Sequence, residues 1–166
     1  PRLILRDIRM EDIQEYYERL FSDGDVCRYL LFDPHQDISE SMASIEKTLA
    51  RYEEGRCYRW GIALKEDDSL IGIVELLRFD EDAGSGSFAY MLGCDYWNQG
   101  YATEAVSAAL QALHQQGFRC IYAGASSQNT ASLRVLQKAR MTLQNKTEDL
   151  EYRGKVHHCI FYASIQ

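Results

Sequence analysis

Hydrophobic positions along the chain switch between two spacings, and the switches mark out alternating strands and helices. Leu3 and Leu5, with Ile8 near the end, alternate with polar neighbours as a first strand would, and Ile13, Tyr16, Tyr17, Leu20 and Phe21 then follow helical intervals. Ile38, Met42, Ile45, Leu49 and Tyr52 step by four and three residues, which keeps one helix face apolar until Gly55 can end it. Tyr58 to Leu64 and Leu70 to Phe79 are β-rich around the polar loop Lys65 to Ser69, and Asp80 to Gly86 reads as a second hairpin turn before a strand from Phe88 to Leu92. The clearest helix starts near Gly100, with Ala102, Ala105, Val106, Ala109, Leu110 and Leu113 as its buried stripe and Gly117 as its stop. Cys120 to Ala125 then predicts a short buried strand, Asn129 to Ala139 a short helix, and Met141 to Thr147 and Val156 to Ser164 two closing strands, with Glu148, Asp149 and Glu151 in the connection between them.

The resulting β–β–β–α–β–α–β–β middle section is a mixed α/β pattern. With 166 residues, two prolines, no fixed-period repeat and no low-complexity tract, residues 1–166 are expected to form a single domain. No apolar run is long enough for a membrane span, so a cytoplasmic, membrane-free protein is expected. The five cysteines are scattered and never spaced as C-x-x-C, and the four histidines have no ligand spacing, so neither a disulfide framework nor a metal site is expected.

Charge is distributed unevenly. Residues 1–96 hold 11 Lys and Arg against 21 Asp and Glu, a net −10, whereas residues 97–166 hold 7 against 4, a net +3. The acidic part argues against a nucleic-acid partner and could attract a cationic amine; the second part suits a compact anionic ligand, although both are also what solvated surface looks like.

Chemistry concentrates in Met91-Leu92-Gly93-Cys94-Asp95-Tyr96-Trp97-Asn98-Gln99-Gly100-Tyr101-Ala102-Thr103-Glu104-Ala105, where a strand feeds a turn and the turn opens a helix. The first turn of a helix leaves backbone N–H groups unpaired at the positive end of its dipole, so a phosphate fits there without a charged side chain. Neither a G-K-[ST] P-loop nor a G-x-G-x-x-G fingerprint is present.

Beyond that turn, Y-M-L-G, Y-W-N-Q-G-Y-A-T-E-A and S-S-Q-N-T-A-S-L-R-V-L-Q-K, with L-I-L-R-D-I-R-M-E-D-I at the start and L-I-G-I-V-E-L in the middle, resemble GNAT acetyltransferases over essentially the whole chain. The family turn follows Q/R-x-x-G-x-G/A, and Trp97 stands here in the first place, as it does in the RimJ/RimL-like branch of ribosomal-protein N-terminal acetyltransferases. The resemblance implies an acyl-CoA N-acyltransferase fold: a central mixed, mostly antiparallel sheet splayed at a V-shaped slot and flanked by about four helices. It implies acetyl-CoA as co-substrate, with no metal, and an amine acceptor that is a protein N-terminus or a small molecule. A homodimer stays open as the assembly.

By the same resemblance, the backbone of Met91, Leu92 and Gly93 would pair with the pantetheine arm, and Asn98, Gln99, Gly100, Tyr101, Ala102 and Thr103 would hold the diphosphate. The Leu92 N–H would face the thioester carbonyl as an oxyanion donor. Asn129 would bond the pantetheine, with helix capping as its plain alternative, and Ser132 would serve the departing thiolate, because Leu136 stands where many relatives carry a tyrosine. Relatives also use a glutamate on the strand before the turn; here that stretch is Gly84-Ser85-Gly86-Ser87, which leaves Glu75 as the first candidate base and Glu148, Asp149 and Glu151 as a second acidic group. Tyr29, Phe32, Glu75 and Tyr90 are the expected acceptor-side residues, and Tyr58 and Trp60 could line the same slot; Tyr29 and Phe32 come first, because Trp60 and Tyr90 at strand positions are more often core. Direct attack by the amine is expected, Cys94 being the residue a covalent route would use. Two alternatives stand beside the enzyme: a non-catalytic acyl-CoA-sensing module, and an α/β scaffold that binds no CoA. Arg140-Met141 replaces the family Gly-Phe after the short helix Asn129 to Ala139, and arginine in a left-handed conformation would cost on the order of 1 kcal/mol, so a different helix end is expected.

Overall fold

The computed structural model describes residues 1–55 and 57–166. Its strands are β1 (Leu3–Arg6), β2 (Arg59–Leu64), β3 (Leu70–Asp80), β4 (Ser85–Leu92), β5 (Cys120–Ser126), β6 (Thr142–Tyr152) and β7 (Lys155–Ile165), in the sheet order β1-β2-β3-β4-β5-β7-β6. The helices are α1 (Ile13–Glu15), α2 (Ile38–Glu53), α3 (Tyr101–Gln115) and α4 (Thr130–Lys138). The α/β class and the mixed, mostly antiparallel sheet are as expected, with β4–β5 the parallel pair. The chain divides into two compact units, residues 1–75 with 90–105, and residues 76–89 with 106–166. Strands β3 and β4 and helix α3 each start in one unit and finish in the other.

In the first unit, Ile8, Tyr16, Leu20, Phe21, Val26, Ile45, Leu70, Ile73 and Met91 form one apolar cluster. Tyr16 and Phe21 stack with centroids 4.3 Å apart, and Phe32 lies 5.3 Å from Phe21. The first helical stretch is less regular than its spacing suggests. A 3₁₀ turn at Met10–Asp12 leads into α1, and a π-helical stretch at Tyr16–Phe21 follows it, closing with Ser22 N–H donating to the Tyr17 carbonyl at 2.9 Å. Helix α2 starts at Asp37, whose side chain accepts from the Ser39 N–H at 2.8 Å, and it ends before Gly55 at φ +68°.

In the second unit, Val106, Ala109, Leu110 and Leu113 are buried, as the predicted α3 stripe requires. Strand β4 begins at Ser85, three residues before the apolar alternation starts, and pairs in parallel with β5 over Ser85–Ser87 and Cys120–Tyr122. That pairing stops at Ser87 and Tyr122, while β5 continues to pair with β7 as far as Ser126.

Two expectations are corrected here. Glu148, Asp149 and Glu151 are not in a connection: they lie in β6, opposite Cys159, His158 and Val156, in a long hairpin. Its turn is Arg153-Gly154, with φ of +53° and +66°, a two-residue geometry whose twist matches the flanking strands. Arg140 also does take up the glycine-like conformation, at φ +62°, and α4 closes with Met141 N–H to the Leu136 carbonyl and Arg140 N–H to the Gln137 carbonyl, a Schellman end. The helix therefore finishes as it would with glycine, at the strain of an L-residue in that region. Arg140→Gly is expected to raise stability by about 1 kcal/mol, or roughly 2–4 °C in Tm for a chain of this size, measured by thermal denaturation; an unchanged or lower Tm would mean that the arginine is not strained.

Candidate functional site

Most predicted site residues lie in the first unit. Strand β4 ends in Tyr90, Met91 and Leu92, a 3₁₀ turn covers Cys94–Tyr96, and α3 opens at Tyr101. Asn98 at φ +59° and Gly100 at φ +83° reverse the chain just before the helix. Asparagine is among the side chains that tolerate this region, and at Gly100 the conformation itself calls for glycine. The first helical hydrogen bond runs from Glu104 N–H to the Gly100 carbonyl at 3.1 Å. The amides of Tyr101, Ala102 and Thr103 therefore precede it and have no partner within the helix.

Backbone bonding narrows which groups of the strand end are open to a ligand. Gly93 is fully used: its N–H donates to the Ile71 carbonyl of β3 at 2.9 Å, and its carbonyl accepts from Tyr96 N–H at 3.0 Å. Successive backbone groups in a strand alternate in direction, so those of Leu92 point away from β3. The Leu92 carbonyl accepts from the Trp97 indole Nε1–H at 2.7 Å. What remains at this position is the Leu92 N–H, the group expected to be an oxyanion donor. The same bond explains Trp97: its ring N–H folds back onto the strand and fixes the turn, with 42% of the residue still exposed. Gln99 braces the turn further, its side chain donating to the Asp95 carbonyl at 2.7 Å.

An N-terminal residue that sequence reading passed over also meets this turn. Arg2 donates from its backbone N–H to Glu104 Oε1 at 2.6 Å, from Nε to Glu104 Oε2 at 3.1 Å and from Nη1 to the Gln99 carbonyl at 3.0 Å. Its guanidinium sits 4.0 Å from the centroid of the Tyr101 ring. Burial opposes charge on Glu104, but the Arg2 hydrogen bonds and charge outweigh it and hold the carboxyl below its ordinary range.

Cys94 behaves as a thiol. Burial, then the neighbouring Asp23, Asp25 and Asp95 carboxylates, push its pKa up to about 11, so it is protonated at neutral pH and poorly suited to a covalent route.

Glu75 is neither lone nor fully solvated. It pairs in register with Arg59 across β2 and β3, with Nε to Oε2 at 3.7 Å and side-chain exposures of 12% for Arg59 and 21% for Glu75. Arg59 also donates to the Tyr16 hydroxyl at 2.8 Å and to Thr48 Oγ1 at 3.2 Å. Tyr16 is buried, and burial raises its hydroxyl above the usual range against the pull of Arg59. Phe32 packs on the same cluster that holds Tyr16 and Phe21, while Tyr29 is half-buried at the end of a 3₁₀ turn. Tyr90, also half-buried, directly precedes the core residue Met91.

Asn129 and Ser132 belong to the second unit. The Asn129 side chain accepts from the Ser132 N–H at 3.1 Å, so the capping role is real, and the amide nitrogen of Asn129 remains as a donor. Ser132 is half-buried in the first turn of α4, and Leu136, one turn on, is 1% exposed. Among the described residues no group of three or more His, Cys, Asp or Glu side chains is arranged to hold a metal, and no helix is long and apolar enough to cross a membrane.

Comparison with known proteins agrees with this architecture. The model of the GNAT acetyltransferase domain matches residues 2–142. The uncharacterized N-acetyltransferase p20 of Bacillus licheniformis is 30% identical over 155 residues, covering 90% of this chain and 84% of that protein. Among solved structures, RimL, the ribosomal L7/L12 α-N-protein acetyltransferase, in complex with coenzyme A superposes with a TM-score of 0.88 at 17% identity, over 99% of this chain and 94% of that one. The spermidine N-acetyltransferase of Vibrio cholerae, in complex with CoA and spermine, gives 0.85 at 16% identity, over 99% and 96%. The chain belongs to the GNAT acetyltransferase family. It is an acetyltransferase by that membership, and its relative is named for transfer to nitrogen.

Proposed function

We propose that this chain transfers the acetyl group of acetyl-CoA directly to an uncharged primary amine, either a protein N-terminus or a small amine, with residues 1–166 acting as one catalytic domain. The observation that carries the reading is the turn from Asn98 to Thr103, whose positive-φ residues leave the amides of Tyr101, Ala102 and Thr103 unpaired at the start of a 15-residue helix. A diphosphate is the group that such an end holds best. Solved relatives of the same fold carry coenzyme A, and they include one named for a ribosomal-protein N-terminus and one bound to spermine, so both acceptor classes are in keeping with this fold.

In this reading the amine nitrogen attacks the thioester carbonyl carbon, the Leu92 N–H stabilises the oxyanion, and the C–S bond breaks as Ser132 gives a proton to the sulfur. The amine proton leaves to water, from which Ser132 regains the proton it gave, and Glu75 is the carboxylate assigned to the acceptor side. Asn129 lends its amide nitrogen to the pantetheine, while Tyr29, Phe32 and Tyr90 border the acceptor; the Met91 backbone, two residues from Gly93, faces β3 as Gly93 does. An α-amino group, with a pKa of about 7.7–8.0, is roughly a tenth neutral at pH 7, whereas a lysine at about 10.4 must give up more than three units. N-terminal and similarly weak amines are thus the favoured acceptors.

The test is thiol release from acetyl-CoA across a panel of N-terminal peptides, polyamines and amino sugars, run with wild type and Ser132→Ala. Release with at least one acceptor is expected, and Ser132→Ala should lower kcat about 10- to 100-fold with little change in CoA affinity. The effect lies toward the lower end because a thiolate, with a free-thiol pKa of about 8.5, leaves readily. Tight CoA binding with no release on any amine would favour a CoA-sensing module instead, a reading to which the buried Leu136 in the tyrosine position lends support.

A further inference from the structure

The turn from Trp97 to Ala102 contains no basic side chain, and Trp97, in the place the family pattern gives to Gln or Arg, is committed to the Leu92 carbonyl. Resting on the reading above, we propose that Arg2 supplies the missing cation as a diphosphate ligand from outside the turn, and holds the turn in its binding shape.

Three observations converge on this residue. Its guanidinium bonds to the Gln99 carbonyl just before the helix and to the Glu104 carboxylate in the first turn of the helix, and its carbon lies 4.0 Å from the centroid of the Tyr101 ring between them. Two of its nitrogens are therefore anchored, while Nη2 makes no hydrogen bond among the described residues. That free nitrogen is 3.5 Å from where a Cβ on Gly100 would stand, beside the open amides of α3. The Arg2 side chain is half exposed, so the free fork faces solvent where a ligand can arrive.

The electrostatics give the placement a purpose. A cation at the positive end of a helix is opposed by the dipole, and alone it would be a poor choice. Glu104 offsets that cost in the empty protein by pairing with Nε and the backbone N–H of Arg2. When a diphosphate occupies the turn, the arginine and the helix dipole act on the same anion, and the arrangement becomes favourable throughout. Arginine suits this better than lysine, because two of its donors can stay on Gln99 and Glu104 while the remaining fork takes a phosphate oxygen.

The experiment measures Kd for coenzyme A, 3′-dephospho-coenzyme A and pantetheine, by the fluorescence of Trp97 and Trp60 or by calorimetry, in wild type, Arg2→Ala, Arg2→Gln and Arg2→Lys. Charge-assisted hydrogen bonds of this kind correspond to about 10- to 100-fold in affinity. Arg2→Ala and Arg2→Gln are expected to weaken coenzyme A and dephospho-coenzyme A equally and by that factor, to leave pantetheine within about twofold, and to be partly rescued by Arg2→Lys. The proposal is overturned if coenzyme A binding is unchanged, if pantetheine weakens in parallel, as for a purely structural tether, or if dephospho-coenzyme A is spared, which would move Arg2 to the 3′-phosphate. A wild-type protein that binds coenzyme A no better than pantetheine would instead sink the diphosphate turn itself.

Discussion

Gly100→Glu is expected to abolish coenzyme A binding while leaving the fold in place. At φ +83° any other residue is strained by about 1 kcal/mol, but a Cβ there has open space except for Arg2 Nη2 at 3.5 Å. A glutamate would thus fit, pair with Arg2 and lie across the amides of Tyr101 to Thr103 as an internal anion, a location that the helix dipole itself favours. Coenzyme A at 100 times its Kd should stabilise the wild type by about 2.7 kcal/mol, or roughly 5–10 °C in Tm, and this shift should fall below about 1 °C in the variant. Gly100→Ala separates strain from charge: it brings the same backbone penalty of about 1 kcal/mol but no competing carboxylate, so it should lose stability and keep a measurable ligand-induced shift. A full shift in Gly100→Glu would remove this turn as the seat of the diphosphate.

What could be read from the sequence was what local chain chemistry decides. The α3 stripe, the stops at Gly55 and Gly117, the N-cap at Asn129 and the turn before Tyr101 all follow from residues within a few positions of one another. The β6–β7 hairpin was misread because acidic residues interrupt its apolar alternation, whereas its actual signal was the Arg153-Gly154 pair at two positive φ angles. Arginine is an uncommon first residue of such a turn, so composition pointed elsewhere. Groups joined across long separations left no trace at all. Arg2 and Glu104 are 102 positions apart, and nothing in either neighbourhood announces the other. The same holds for Glu75, whose pairing with Arg59 depends on a strand register that only the folded sheet defines. The expected backbone role of Gly93 also depended on direction along the strand, which spacing does not give; its N–H and carbonyl prove to be used within the protein.

The same long-range logic predicts the largest loss of stability in the first unit, from Arg6→Ala. The Arg6 guanidinium has five N–H donors, and each is matched: Nη2 to Asp12 Oδ1 at 2.7 Å and the Asp68 carbonyl at 2.9 Å, Nη1 to Asp12 Oδ2 at 2.9 Å and the Asp7 carbonyl at 3.0 Å, and Nε to Asp68 Oδ1 at 2.7 Å. Arg6 and Asp12 are each more than 90% buried as side chains, so truncating the arginine strands a buried carboxylate that keeps only the Arg9 N–H at 2.8 Å. Breaking a buried pair from one side costs about 3–5 kcal/mol, or roughly 6–20 °C in Tm here. Replacing both partners, as in Arg6→Met with Asp12→Leu, should recover much of that loss, because the penalty arises from the orphaned charge more than from the bond. Acid behaviour supplies an independent check. Hydrogen bonds from Arg6, then from Arg9, hold the exposed Asp68 carboxyl below its ordinary range. Its stabilising contribution is therefore present above the unfolded value of about 3.9 and is lost as pH falls through the lower folded value. Arg6→Ala should flatten that acid limb in urea titrations run from pH 5 downward as well as lower the neutral-pH midpoint. A variant that loses less than about 1 kcal/mol at neutral pH, with the acid limb unchanged, would show that the network is surface decoration and that β1 is held by its ladder with β2 alone.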